Sequence, residues 1–298
     1  GGLDDVTDTV MTRLGAEGDD DSQVSAEVTY RFLIGDRTSV GVGTSGAGIQ
    51  NAGEVLNPLS SSSRGAISRF ARRDPITLRG SGSAGITIQH ELSDIVQLGV
   101  GYSTGDSEAP DRGLFNSSYN AIAQVALEPT DNLELAFTYT RKYQEQDDVN
   151  LMGSTGSENA NNPFDDNGTV ADGFGFQFNW YATDELELGG WFGYARATQK
   201  QDGDGEATIM NGAITLAFPD LGGEGNLGGI IIGVPPIVTD RDNPELEDEE
   251  TSWHLEALYR IKVTDNLEVT PGFFLVTNPN HEDNETIWVG AVRSLFSF

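Results

Sequence analysis

The feature that most constrains this chain is a two-residue alternation that restarts after a short acidic turn. Thr130-Asp131-Asn132-Leu133-Glu134-Leu135 has close copies over 183–188 and 264–269, and looser ones over 93–98 and 35–40. Behind the first copy, Leu133, Leu135, Phe137 and Tyr139 oppose Asn132, Glu134 and Thr138; ahead of it, Tyr119, Ala121, Ala123, Val125 and Leu127 oppose Asn120, Gln124 and Glu128. Successive side chains on a strand point to opposite faces, so this is the pattern of a strand with one apolar face. The uneven intervals between copies argue against a solenoid. The phrase reads instead as the tight turn of successive hairpins, with Asp131 and Asn132 supplying the turn chemistry.

The same division recurs along the chain. Phe174, Phe176, Phe178 and Trp180 oppose Gly175, Gln177 and Asn179. Leu186, Leu188, Phe192 and Tyr194 oppose Glu187 and Gly189, although Trp191 falls on the polar side. Trp253, Leu255, Ala257, Tyr259, Ile261 and Val263 oppose His254, Glu256, Arg260 and Lys262, and Val24 to Ile34 sets Tyr30, Phe32 and Ile34 against Glu27 and Arg31.

A soluble sandwich also alternates, but its turns recur every 8 to 12 residues or so. Here short Asp turns lie far apart, and the opposite strand ends are joined by long polar loops over 103–116, 142–172, 235–250 and 277–285. That asymmetry is how an outer-membrane barrel is built. Tyr139, Trp180, Tyr181, Tyr194, Trp253 and Trp288 fall near strand ends, where such a barrel carries its aromatic girdles, and the terminal strand closes on Phe296 and Phe298. The pattern predicts about fourteen strands, from 8–14, 24–34 and 38–46 to 286–298, each near the length that spans a bilayer at a tilt. The fold class is therefore an all-β, antiparallel, up-and-down transmembrane barrel. The longest apolar run, Ile230 to Val234, is far short of a membrane helix. A chain that opens on Gly1, with neither Met nor a signal peptide, has had its N-terminus processed, trimmed or left out.

Residues 51–80 break the strand rhythm and hold five of the 17 basic residues: Arg64, Arg69, Arg72, Arg73 and Arg79. A long structureless loop is uncommon unless it functions. This one is expected to fold inward over 49–80 and narrow the pore, the alternative being an exposed loop or a subunit contact. Lining the lumen are expected to be Glu27, Arg31, Glu134, Glu187, His254, Glu256, Arg260, Lys262, Glu268 and Arg293.

Several chemistries are disfavoured. With 17 Lys plus Arg against 47 Asp plus Glu, a net charge of -30 repels nucleic acid. The absence of cysteine closes thiolate metal sites, disulfides and Cys nucleophiles. "GVGTSG" over 41–46 fits the dinucleotide fingerprint, but no helix or βαβ unit surrounds it, and its glycines read as places where a strand bends or packs closely. Asp202, Asp204 and Glu206, with the acids from Asp240 to Glu250, offer oxygen ligands for calcium or magnesium but lack the full calcium loop, so they read as solvated acidic loops. His90, His254 and His281 have no partner at catalytic spacing. No enzyme activity, metal or cofactor is expected.

Four long stretches carry a resemblance: "LNPLSSSSRGAISRFARRDPI", "GLFNSSYNAIAQ", "LAFPDLGGEGNLGGIIIGVPP" and the run from Thr251 to Phe298. Over 10–298 the chain resembles the cyanobacterial major outer-membrane porins, relatives of the carbohydrate-selective porin B family. The resemblance implies a sixteen-stranded barrel in the outer membrane of a Gram-negative bacterium, passive diffusion of small solutes, and a basic loop in the pore. The pore-loop arginines carry over best to Arg64, Arg69 and Arg73. It also implies an upstream surface-layer-homology domain and coiled coil that bind peptidoglycan; neither they nor the opening two strands lie in this chain. Its other expected partners are membrane lipid, lipopolysaccharide and two further copies in a homotrimer. Sugar, inorganic ion and iron remain open as solutes. The competing reading is a largely closed barrel that anchors the outer membrane.

Overall fold

The alternating segments fold into a single sheet whose thirteen antiparallel strands lie in chain order. They are β1 (Thr29–Ile34), β2 (Thr38–Gly43), β3 (Gly85–Ser93), β4 (Val96–Thr104), β5 (Tyr119–Thr130), β6 (Leu133–Gln144), β7 (Thr169–Thr183), β8 (Leu186–Gln199), β9 (Glu206–Pro219), β10 (Leu227–Arg241), β11 (His254–Thr264), β12 (Leu267–Val276) and β13 (Ile287–Phe296). This computed structural model describes residues 9–15, 29–43, 52–80, 84–105, 117–200, 205–242 and 247–297. Glu27, Asp202, Asp204 and the terminal Phe298 lie outside them.

The alternation sorts inside from outside. On β6, Phe137, Tyr139 and Arg141 are exposed while Ala136, Thr138, Thr140 and Lys142 are buried. The exposed face continues through Phe174, Trp180, Phe192, Trp253 and Trp288. Tyr181 departs from the girdle expectation: its hydroxyl donates to Glu134 on the inner face at 3.3 Å.

Each copy of the acidic phrase sits in a short turn at the same end of the sheet. The hydroxyl before the turn does much of the work. Ser93, Thr183 and Thr264 accept from the N–H of Ile95, Glu185 and Asn266 at 3.4, 3.2 and 3.2 Å, and the Thr130 hydroxyl donates to the Asn132 side-chain oxygen at 2.8 Å. These Ser/Thr bonds reproduce a backbone turn locally, which is why the phrase recurs.

Three readings of the sequence are corrected. The expected strand over 8–14 is a single 3-10 turn, Val10–Thr12, so the described strands number thirteen rather than fourteen. Its backbone finds a partner in the loop instead of the sheet: Leu14 bridges Ser68, and Met11 is buried inside the barrel. β6 and β7 stay paired further than expected, through Gln144 and Thr169, which shortens the connection to 145–168. β10 runs past Pro235 and Pro236 to Arg241 by shifting register between Val234 and Ile237; two residues without N–H donors end a regular ladder but not the strand.

Because thirteen is odd, β1 and β13 run in the same direction, and no pairing joins them among the described residues. The interior is packed. Met11, Leu59, Ile67, Phe70, Trp191, Leu258 and Phe274 form one apolar cluster, and Ile76, Leu151, Met152, Phe164, Ile209 and Val238 a second. Trp191 thus breaks the outer pattern because it serves the inner core, meeting Phe70 edge-on at 5.8 Å.

At the long-loop end His281 closes a clasp. Ser252 N–H donates to its Nδ1 at 2.8 Å, so the proton lies on Nε2, which donates to the Pro236 carbonyl at 3.1 Å. The same clasp holds the sulfur of Met11, 3.2 Å from Asn280 N. Burial pulls the His281 imidazole down to about 4.

Candidate functional site

Residues 52–80 enter the barrel from the long-loop end and cross it. Their path is laid on wall glycines. A Cβ at Gly99 on β4 would overlap the Ala52 carbonyl. One at Gly175 on β7 would stand 2.6 Å from Thr77 Oγ1 and 2.8 Å from Asp74 Oδ2, and one at Gly272 on β12 would stand 2.7 Å from Ile67. A Cβ at Gly229 or Gly233 on β10 would stand 3.0 Å from Leu59 or Phe70. A side chain at Gly99 would push the loop backbone off the wall, and one at the others would displace the loop side chains that rest there.

Two buried carboxylates and one arginine fasten it. Asp74 caps the short helix α1 (Pro75–Leu78), accepting from Ile76 N–H at 3.0 Å, the Thr77 hydroxyl at 2.5 Å and Asn211 Nδ2 on β9 at 2.8 Å. Burial pushes its carboxyl up, and those three hydrogen bonds oppose the push. Glu256 on β11 accepts from the Ile67 N–H, from Ser68 N–H at 3.2 Å and from the Ser68 hydroxyl at 2.5 Å. Arg293 on β13 donates to the carbonyls of Ser62, Ala66 and Gly65 at 2.9, 3.2 and 2.5 Å.

Ser68, His254 and Glu256 bring together the residue types of a catalytic triad, but not its geometry. The serine hydroxyl and His254 Nε2 both approach the same Glu256 oxygen, at 2.5 and 3.2 Å, and all three side chains are sealed from solvent between Phe70 and Phe274. A triad needs the acid on the other ring nitrogen and an accessible nucleophile. This is a fastening. His254 and Glu256 therefore face inward as expected, yet lie under the loop rather than in contact with a solute path.

The arginines divide into two groups. Arg64 is exposed and ion-paired to Glu268, its Nε 3.0 and 3.2 Å from the two carboxylate oxygens, with Arg260 Nε 3.9 Å from the same group. It therefore pairs with the wall directly. Arg69, Arg72, Arg73 and Arg79 gather further along. Arg69 Nε donates to the Gly153 carbonyl at 2.8 Å, and Arg72 donates to Ser60 and Gly15 carbonyls at 2.9 and 2.8 Å. Arg79, buried, donates to the Arg69 carbonyl. Burial and then Arg72 pull the Arg73 guanidinium down to about 10, and burial followed by its arginine neighbours pulls Arg79 well below its ordinary value.

The remaining expected lining residues are dispersed. Glu134 and Glu187 lie together inside the short-turn end, where Asn179 and Tyr181 donate to Glu134 at 3.3 Å each. Arg31 is exposed on β1. Lys262 sits at the rim, where it pairs with Asp265 at 3.0 Å rather than lining the bore.

Reasoning from sequence missed Arg13, which lay in a segment read as strand, and the fastening role of Asp74. Asp74 carried a signal: an Asp directly before a Pro is the start of a helix.

The carbohydrate-selective porin, OprB family, model matches residues 5–298. An uncharacterized protein of Synechocystis, sll0772, is 36% identical over 98% of this chain and 57% of its own length. A second, alr4550 of Nostoc, is 28% identical over 96% of this chain and 52% of its own. The chain thus spans about half the length of these curated relatives. Among solved structures, Pseudomonas putida OprB matches with a TM-score of 0.57 at 14% identity, covering 91% of this chain and 71% of that one. The anion-selective porin of Comamonas acidovorans matches with a TM-score of 0.56 at 10% identity, covering 90% and 74%. The trimer form of Vibrio cholerae OmpT matches with a TM-score of 0.56 at 8% identity, covering 87% and 75%. At such identities these likenesses show the fold alone, and the fold they show is the outer-membrane barrel. Taken with the family match over nearly its whole length, they lead to one conclusion: the chain belongs to the OprB family of carbohydrate-selective porins, β-barrels of the outer membrane.

Proposed function

We propose that the barrel is a water-filled channel for passive diffusion of small polar solutes and inorganic ions, and that the loop over 52–80 forms its constriction. No bond chemistry is assigned to it. The observation that carries the reading is the group of loop arginines inside the barrel: Arg69, Arg72 and Arg79 donate to the carbonyl oxygens of Gly153, Ser60, Gly15 and Arg69, and Arg73 is half-buried beside Arg72. Lumenal charge sets the preference of such a path. The chain's net charge is -30, but five arginines stand in the loop itself, and charges beyond a Debye length of about 8 to 10 Å are screened. The constriction therefore favours anions.

A second reading has support in the two apolar clusters inside the barrel, which suit a largely closed barrel that anchors the envelope. Planar-bilayer recording of the purified protein in a KCl gradient decides between them: a channel gives discrete conductance with a reversal potential on the anion side, and an anchor gives none.

Membrane lipid and lipopolysaccharide as surroundings, assembly as a homotrimer, and attachment to peptidoglycan through an upstream domain belong to the same proposal. The likeness to a trimeric porin supports the second. The greater length of the curated relatives supports the third.

A further inference from the structure

Resting on the channel reading, we infer that the His281 clasp is an acid-released latch: proton uptake by its imidazole frees the segment over 9–15 from the bore and opens the long-loop mouth.

The latch gathers four segments on one bulge. Pro235 and Pro236 interrupt the ladder between β9 and β10, which leaves the Pro236 carbonyl outside it. That carbonyl accepts from His281 Nε2 and from Ser157 N–H, each at 3.1 Å, so the loops over 277–285 and 145–168 meet there. The stretch 247–253 joins through Ser252 N–H on His281 Nδ1 and Glu250 N–H on the His281 carbonyl, both at 2.8 Å. Residues 9–12 complete it: the Met11 sulfur accepts from Asn280 N–H at 3.2 Å, and the Thr9 hydroxyl donates to the Asn280 side-chain oxygen at 2.8 Å.

The closed geometry excludes the imidazolium. A proton on Nδ1 would confront the Ser252 N–H, donor against donor, so His281 must leave this seat to become charged. The backbone is wound as well. Asn278, Asn280 and His281 have φ of 46°, 62° and 58°, a left-handed conformation that residues with side chains adopt rarely and keep only while their contacts hold. Losing the ring's two hydrogen bonds removes such contacts.

Met11 is the wedge that the latch retains. It shares a buried apolar cluster with Ile67 and Phe70 of the loop and with Phe274 and Val276 of β12, and beyond it Leu14 bridges Ser68. The segment therefore fills space between the loop over 52–80 and the wall, and its withdrawal widens the bore there.

The surroundings leave the imidazole as the acid sensor. Asp248 and Glu250 stand on 247–253, Glu282 and Asp283 follow His281, Glu158 follows Ser157 and Arg13 lies beyond Met11, while β10 presents its two prolines. Both ring nitrogens are bonded to backbone, and Glu250 meets the residue through its own backbone. Asp248 works against release: it accepts from Ser157, Asn159 and Val238, and burial raises its carboxyl, so acid favours its bound form, but by less than burial lowers His281. With the imidazole brought from 6.5 to about 4, the ratio of released to closed latch rises about 30-fold between pH 7.5 and pH 5.

The test uses the purified full chain in planar bilayers and in detergent, with His281→Gln as the main variant. Glutamine can accept from Ser252 and donate to Pro236 but does not titrate. Conductance of the parent is expected to rise when the long-loop side is taken from pH 7.5 to pH 5, and exchange over 9–13, corrected for its intrinsic rate, to speed up by as much as about 30-fold. His281→Gln should show neither. The chain has no cysteine, so Thr9→Cys with Asn280→Cys places a single staple across the latch; oxidation should abolish the acid response and reduction restore it. A rise in conductance that His281→Gln keeps in full, or a conducting channel whose exchange over 9–13 speeds up in acid while its conductance stays constant, overturns the inference and leaves the channel standing. A protein that conducts at neither pH, yet whose exchange over 9–13 speeds up in acid only when His281 is present, overturns the channel and leaves His281 as the latch of a closed barrel.

Discussion

Arg64 and Arg73 lie nine positions apart on one loop, and the barrel treats them oppositely. Arg64, at the shoulder of the loop, is exposed and neutralised by Glu268. Arg73, in the arch, is half-buried among other arginines, and no carboxylate pairs with it among the described residues. A sequence counts both as one positive charge. In the proposed channel, what an ion would meet depends instead on which charges the wall has already cancelled, which makes the arch the stronger local field although the shoulder is the more accessible.

The largest expected effect comes from unfastening the arch. Glu256→Ala leaves two N–H groups, a hydroxyl and an imidazole without their buried acceptor, at a cost of about 3 to 5 kcal/mol. Hydrogen exchange should rise across 66–72 and the single-channel current should become noisier. Unchanged protection there would mean that the glycine bed alone holds the loop.

Acid should act on the clasp at the long-loop end while sparing the shoulder. The imidazole of His281 is held below its ordinary value, so the opened clasp takes up a proton before the closed one does. Its contribution is fully present above pH 6.5 and is lost as pH falls toward about 4, roughly 3 kcal/mol in all. Hydrogen exchange at pH 5 against pH 7.5 is expected to rise over 247–253 and 279–284, and over 9–13, which the clasp holds through Met11. Residues 61–64 should not change. Equal loosening of both regions would remove the distinction.

The smallest effect is the most direct comparison. Arg73→Gln removes an uncancelled charge, worth about 1 kcal/mol at the mouth or roughly fivefold in the anion-to-cation permeability ratio. Arg64→Gln removes one already paired at the surface, with less than about a twofold change. Reversal potentials in a KCl gradient measure both, and equal shifts would show that pairing with Glu268 does not matter.

The wall was legible in the sequence because a strand writes its two faces at alternate positions, and a turn writes its hydroxyl and its Asp. Even Trp191, out of phase, carried information: it points into the lumen. The arch was only half legible. Five loop arginines could be counted, but the acid that cancels one of them and the side chains that fasten the loop's backbone lie some 190 to 230 positions away on β11, β12 and β13, and no local pattern encodes such a pairing. Arg13 was hidden for a related reason. Its short segment alternates as a strand does, yet it pairs with Ser68 of the loop. Only the glycines over 41–46 were read as sites of bending or close packing; those that bed the loop stand elsewhere, at positions spread from β4 to β12.

That spread has a mechanical meaning. The loop touches the wall at Gly99 on one side of the bore and at Gly272 on the other, so it spans the barrel as a tie rod spans a vault. Its contacts thus add ties across the bore to those that the sheet's hydrogen bonds make around it. Cutting the loop would therefore slacken the whole arc as well as widen the opening. Grafting it into another barrel would transfer neither its strength nor its selectivity unless the glycines on which it rests were carried along.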